Sequence, residues 1–214
     1  MSLMVNEIFY SIQGESTYAG CPCIFIRLTG CNMRCTYCDT QYAYEAGAIL
    51  SLDAITKKIA EFPCRLVEIT GGEPLLQRET PNLISHLIES GYRILMETNG
   101  SFNIDCVDSR CIKIVDVKCP GSGEEGTCDL DNLNRLNPGD QVKFVICHRK
   151  DYEYARRTCD RIPNKISASH ILFSPAAGRM DPAELSQWIL KDGLDVRLHL
   201  QLHKILWPHQ DRGV

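Results

Sequence analysis

The feature that most limits how this chain can fold is a series of short apolar runs with helical patterns between several of them. The runs are Cys23–Leu28, Leu66–Thr70, Arg93–Glu97, Ile112–Val117, Gln141–Ile146, His170–Phe173 and Val196–Leu200. They are short and rich in Ile and Val, as strands are. Ser51 reads as the N-cap of a helix with Ile55, Ile59 and Phe62 on one face. Thr80–Ser90 places Leu83, Ile84, Leu87 and Ile88 on one face, and Gly91 ends it. Asp151–Arg161 and Pro182–Lys191 read as further helices, the last with Asp181 as N-cap and Pro at the first helical position. Such alternation predicts a parallel sheet with right-handed crossovers. Strand count and length favour a single-domain α/β fold over residues 1–214, a partial, abbreviated (β/α) TIM-like barrel. An open doubly wound sheet is the second arrangement, weakened because no GxGxxG or GxxxxGK[ST] occurs. The glycine-punctuated stretch from Cys119 to Asn137 predicts a mobile excursion, and Met1-Ser2-Leu3 ahead of Met4 reads as an expression remnant.

A chain of 214 residues buries enough surface to be stable without disulfides, yet this one carries 12 cysteines. No run of 18 apolar residues and no basic, then apolar, N-terminal segment occurs. The expectation is a cytoplasmic protein with reduced thiols and no membrane contact. A formal charge of −4 argues against a nucleic-acid partner gripped through its phosphates. Cys31, Cys35 and Cys38 form CxxxCxxC directly after a predicted strand. Three thiolates on a tight loop suit an iron–sulfur cubane with one open iron, or a site completed by a fourth ligand. A structural zinc site needs four ligands, usually from two paired knuckles, and no second CxxC exists. The other nine cysteines read as packing thiols; Cys106, Cys111, Cys119 and Cys128 leave an auxiliary metal site as the alternative.

CxxxCxxC with Tyr37 before the last cysteine resembles the radical S-adenosylmethionine (SAM) superfamily. Gly71-Gly72-Glu73-Pro74, after the next strand, is similar to its GGEP motif, and Met96-Glu97-Thr98-Asn99-Gly100 also resembles it. The resemblance implies a [4Fe-4S] cluster on Cys31, Cys35 and Cys38, with SAM on its open iron. Ile12-Gln13-Gly14-Glu15, then Phe25-Ile26-Arg27-Leu28, and a C-terminal Gln201-Leu202-His203-Lys204 narrow the resemblance to the 7-carboxy-7-deazaguanine synthase family. That family contracts 6-carboxy-5,6,7,8-tetrahydropterin to 7-carboxy-7-deazaguanine with loss of ammonia, on the route to queuosine.

The resemblance implies SAM contacts at Tyr37, Asp39, Gly71, Gly72, Glu73, Glu97, Asp116, Lys118, Phe173, Ser174, Pro175 and Ala176, with Glu73 meeting the SAM amino group. It implies substrate contacts at Ile12, Gln13, Gly14, Glu15, Arg27, Thr70 and His203, and Thr40 as a Mg2+ ligand. Chemically, Gln13 offers an amide edge, Arg27 a fork for a carboxylate, and a hard cation prefers oxygen ligands such as the Thr40 hydroxyl. The family also implies a flavodoxin or ferredoxin as electron donor and a homodimer. One departure stands out: the family's usual Gly after Gln-Gly-Glu is Ser16 here. Two rivals remain. A glycyl-radical activase shares CxxxCxxC but gives no reason for Gln13 and Arg27 and needs a protein-sized mouth. A zinc-stabilised nucleic-acid-binding module is opposed by the negative charge and the missing knuckle.

Overall fold

Nine strands form one sheet: β1 (Ser2–Ile12), β2 (Pro22–Leu28), β3 (Ala48–Ser51), β4 (Leu66–Gly71), β5 (Arg93–Thr98), β6 (Ile112–Asp116), β7 (Gln141–Ile146), β8 (Ile171–Pro175) and β9 (Arg197–Leu198). The computed structural model describes residues 1–214. Sheet order is β3-β1-β2-β4-β5-β6-β7-β8-β9. From β2 onward neighbours are parallel and follow chain order, while β1 pairs antiparallel with β2 and β3. The order never reverses, as a doubly wound sheet requires. Right-handed crossovers then place the helices that connect parallel strands on one face. The two edges, β3 and β9, do not meet, so the barrel is partial, as predicted.

The main helices are α1 (Leu52–Ile59), α2 (Thr80–Glu89), α3 (Asn132–Arg135), α4 (Arg149–Cys159), α5 (Pro182–Asp192) and α6 (Leu202–Leu206). Ser51 Oγ accepts from Ala54 N and caps α1, and Asp181 caps α5 through Ala183 N, with Pro at its first turn. Gly91, at φ 85°, lets the chain turn away after α2. Period-two alternation sorts the strands. Ile26, Leu28, Val67, Ile69, Met96, Val115, Val142 and Phe144 pack in the core. Their neighbours Arg27, Glu68, Thr70, Glu97, Asp116 and Lys143 point to the other face. Each fully buried Ile or Phe contributes about 1.5–3 kcal/mol, which is what lets the opposite face remain polar.

β1, β3, α3 and α6 have no counterpart in the predicted elements. Leu3, within the supposed remnant, pairs with Leu50 and is 1% exposed. The stretch from Cys119 to Asn137 is not a loose excursion. Asn132 Oδ1 accepts from Ile104 N, and its Nδ2 donates to the carbonyls of Gly100 and Phe102. The Asp151 carboxylate, fully buried, accepts from Gly121 N at 2.7 Å and Cys147 N at 2.8 Å. Side chains from outside the glycine-rich stretch and at its end thus pin it, which overrides the glycines' freedom.

Candidate active site

The polar face of the sheet and the loops at its C-terminal edges enclose a cavity of about 400 Å3. The cysteine loop forms one wall. It leaves β2 through Thr29 and Gly30, and the pinned 119–127 stretch holds it. Thr36 N donates to Ser122 O at 2.9 Å, Thr36 Oγ1 to Gly121 O at 2.7 Å, and Arg34 N to Glu124 Oε1 at 2.6 Å. Arg179 reaches Thr36 Oγ1 at 2.9 Å. Cys31, Cys35 and Cys38 all line the cavity. Burial pushes the Cys31 thiol up and that of Cys35 up to about 11. Metal capture there releases protons. No three His, Cys, Asp or Glu side chains are gathered closely enough for one ion, whereas a cubane takes each thiolate on a separate iron.

The Gly-Gly-Glu-Pro turn lies against this loop. A Cβ on Gly71 would stand 2.2 Å from Leu28 O, and one on Gly72 2.1 Å from Gly30 O. Glycine is therefore obligatory for the approach, which Glu73 N seals by donating to Gly30 O at 2.8 Å. Glu73 itself is fully buried and absent from the cavity wall. Its carboxylate accepts from Leu75 N at 2.9 Å, Thr98 Oγ1 at 2.8 Å and Asn99 N at 2.7 Å. The side chain that the resemblance assigns to the SAM amino group braces the turn to the end of β5 in this structure.

Two buried oxygens facing the cavity lack any partner, Tyr37 Oη and Asp116 Oδ1. The other Asp116 oxygen pairs with Lys118 at 2.8 Å, and Lys118 lies over the Tyr37 ring. A buried polar atom without a partner is costly, so these two fit a ligand bearing both donors and acceptors, as SAM does. Lys143 is the hub of the charge network. It pairs with Glu15 at 2.8 Å, with Glu97, and with Asp116 at 3.5 Å. Burial opposes its charge, but those carboxylates hold its pKa well above the usual lysine range. Burial alone would raise the Glu15 carboxyl; Lys143, His199 and His203 instead hold it well below the carboxylate range.

On the β1–β2 side, Arg27 Nε is held by Glu7 Oε1 at 2.8 Å, itself bound by Tyr42 Oη at 2.9 Å. The terminal Arg27 nitrogens make no bond within the chain and open on the cavity. Gln13 is committed. Its Oε1 accepts from Glu15 N at 3.0 Å, and its Nε2 donates to Glu68. Gly14 lies under His203, whose Nδ1 would meet a Cβ there at 2.1 Å; Leu202 N donates to Gly14 O at 2.8 Å. Burial lowers the His203 pKa. Thr40 Oγ1 donates to Asp39 Oδ1 at 2.8 Å, and Lys204 holds Asp39 Oδ2 at 3.0 Å. Burial raises the Asp39 carboxyl less than Lys204 and Thr40 lower it.

Ile12, Gln13, Gly14, Glu15, Arg27, Tyr37, Asp39, Thr40, Thr70, Gly71, Gly72, Glu97, Asp116, Lys118, Ala176 and His203 therefore share one cavity with the cysteines. Glu73, Phe173, Ser174 and Pro175 do not line it. Phe173 points into the core, edge-on to Phe144 and Tyr152, because strand alternation sends it to the helix side. Sequence reasoning missed Glu68 and Lys143; the signal available was a lone polar residue at an inward strand position.

The radical SAM superfamily model matches residues 25–116. A 7-carboxy-7-deazaguanine synthase of Koribacter versatilis (strain Ellin345) is 45% identical over 99% of this chain and 100% of its own. One from Chlorobaculum tepidum is 43% identical, covering 99% of this chain and 97% of its own. The crystal structure of QueE from Escherichia coli superposes with a TM-score of 0.80 at 24% identity over 95% of each chain.

Proposed function

The chain belongs to the 7-carboxy-7-deazaguanine synthase family of the radical SAM superfamily, and on that premise we propose that it contracts 6-carboxy-5,6,7,8-tetrahydropterin to 7-carboxy-7-deazaguanine with loss of ammonia. The observation that carries this reading is the convergence of the three cysteines, two unpartnered buried oxygens and the free Arg27 fork on one cavity. At about 400 Å3 the cavity suits small molecules, not the protein partner of an activase.

Cys31, Cys35 and Cys38 would hold the [4Fe-4S] cluster. SAM would lie against Gly71 and Gly72, with Tyr37, Asp116 and Lys118 reading its polar groups and Ala176 closing the far side. When bound, the cluster and SAM supply one-electron chemistry able to remove hydrogen from carbon. The chain's own residues bind and orient. Arg27, steered by Glu7, presents its two terminal amines to the substrate carboxylate. Thr70, beside Arg27 in the β2–β4 register, adds a hydroxyl. Thr40 keeps its lone pairs open to the cavity and would supply one oxygen to Mg2+, the rest coming from substrate and water. Lys143 fixes Glu15 and Glu97 by charge, and Gly14 lets His203 close over the ring. Phe173, Ser174 and Pro175 support the site as the strand that carries Ala176. A flavodoxin or ferredoxin would deliver the electron, the enzyme would act as a homodimer in the cytoplasm, and no helix is long and apolar enough to cross a membrane. The test is anaerobic cluster reconstitution followed by incubation with the carboxytetrahydropterin, SAM, Mg2+ and a reductant. The deazaguanine should accumulate; an intact cluster with no product would overturn the assignment.

A further inference from the structure

Glu68 is a buried carboxyl on the cavity wall that no cation reaches. It is 4% exposed, and its Oε2 accepts from the neutral Gln13 amide. Its Oε1 makes no bond within the chain. Lys143 is committed to Glu15, Glu97 and Asp116. The charges that face Glu68 are the Glu15 and Glu97 carboxylates, which repel it, and the more weakly felt Lys143; the Cys23 thiol lies behind it. A carboxyl so placed keeps its proton. With Oε2 occupied as an acceptor, the proton belongs on Oε1. In the β2–β4 register Glu68 neighbours Phe25, whose ring stacks on Phe9 at 4.8 Å, so an apolar aromatic surface adjoins the acid.

We propose that Glu68 works as a neutral acid whose Oε1–H donates to an acceptor on the pyrimidinone ring of the substrate. It thereby orients the ring that Arg27 anchors through the carboxylate. This rests on the functional reading above and deepens it: Gln13, expected to touch substrate itself, becomes the positioning residue that keeps Glu68 turned toward it. Burial, then the Glu97 and Glu15 charges, pushes the Glu68 carboxyl up to about 8. Binding that needs the protonated form is complete below that pH and weakens about tenfold per unit above it.

The experiment is anaerobic calorimetry of the cluster-loaded enzyme with SAM and no reductant, so that nothing turns over. It titrates 6-carboxy-5,6,7,8-tetrahydropterin into wild type, Glu68→Gln and Glu68→Ala from about pH 6 to about pH 10. Wild type should hold its affinity to about pH 8 and then lose about tenfold per unit. Glu68→Gln, whose amide donates from the same place, should bind within about threefold of wild type and stay flat. Glu68→Ala should be more than about tenfold weaker throughout. A Gln variant that falls with the wild-type midpoint, or that is as weak as Ala near neutrality, overturns the proposal alone, as does an Ala variant that binds like wild type. Should Ala fail to fold, as judged by SAM binding, the wild-type and Gln profiles decide. Wild type that binds SAM but no pterin at any pH overturns the functional reading and takes this proposal with it.

Discussion

Replacing Glu73 by Gln separates two roles open to that side chain, a ligand to SAM or a brace between two turns. The structure favours the brace, since both carboxylate oxygens are filled by Leu75 N, Thr98 Oγ1 and Asn99 N. The best Gln orientation keeps its oxygen where Oε1 was, preserving the first two bonds. Its NH2 then faces Asn99 N–H, so one bond at 2.7 Å is lost and a buried donor is orphaned. A buried bond to a charged acceptor is worth roughly 1.5–3 kcal/mol. Relief of the buried carboxyl, whose pKa is raised by burial, offsets a part, leaving about 2 kcal/mol. For a domain of this size that lowers Tm by roughly 4–8 °C. Thermal unfolding followed by circular dichroism reads the shift, and calorimetry reads the SAM affinity of the folded variant, expected within about threefold of wild type. An unchanged Tm with SAM binding weakened about tenfold, or about 1.4 kcal/mol, would refute the bracing argument.

Cys35→Ala should abolish cluster retention and turnover together, read by iron content and product formation; turnover with full iron would contradict ligation. Lys143→Met strands Glu15 and Glu97 without their cation, Asp116 keeping Lys118, and should cost roughly 3–5 kcal/mol in urea unfolding. A loss below about 1 kcal/mol would mean the network relaxes into solvent. Gly14→Ala places a methyl 2.1 Å from His203 Nδ1 and should raise the pterin KM more than about tenfold while leaving the KM for SAM unchanged; equal effects on both would deny the local displacement.

What could be read from the chain was whatever is encoded locally. Ser51, Gly91 and Asp181 punctuate helices through their own chemistry, and the parallel strands carry their own apolar runs. β1 was not legible because Asn6, Glu7 and Ser11 interrupt it, and its pairing with β2 and β3 is what stabilises it. Lys143 and Glu68 looked like ordinary breaks in apolar strands; only the sheet's register brings them to one cavity. Ser16 illustrates the converse. Its departure from the family's Gly marked a loop of special geometry, and it is the chain's one non-glycine residue at positive φ, 62°, with its hydroxyl accepting from Tyr18 N at 3.1 Å. That Glu73 and Phe173 lie off the cavity wall was not legible either, since a motif names a position but not the direction of its side chain.

The seating of His203 over Gly14, together with the Gln201–Glu15 bond across 186 residues, bears on when the cavity comes into being. The cysteine loop and the strands beside it are complete long before residues 199–206 have been synthesised. Closing so wide a loop is entropically slow and adds little redundancy of contact. The His203 side of the substrate wall is thus the last part of the cavity to assemble and the first to open by local unfolding. An excursion of α6 alone would empty the pterin side while the metal-binding loop stayed intact.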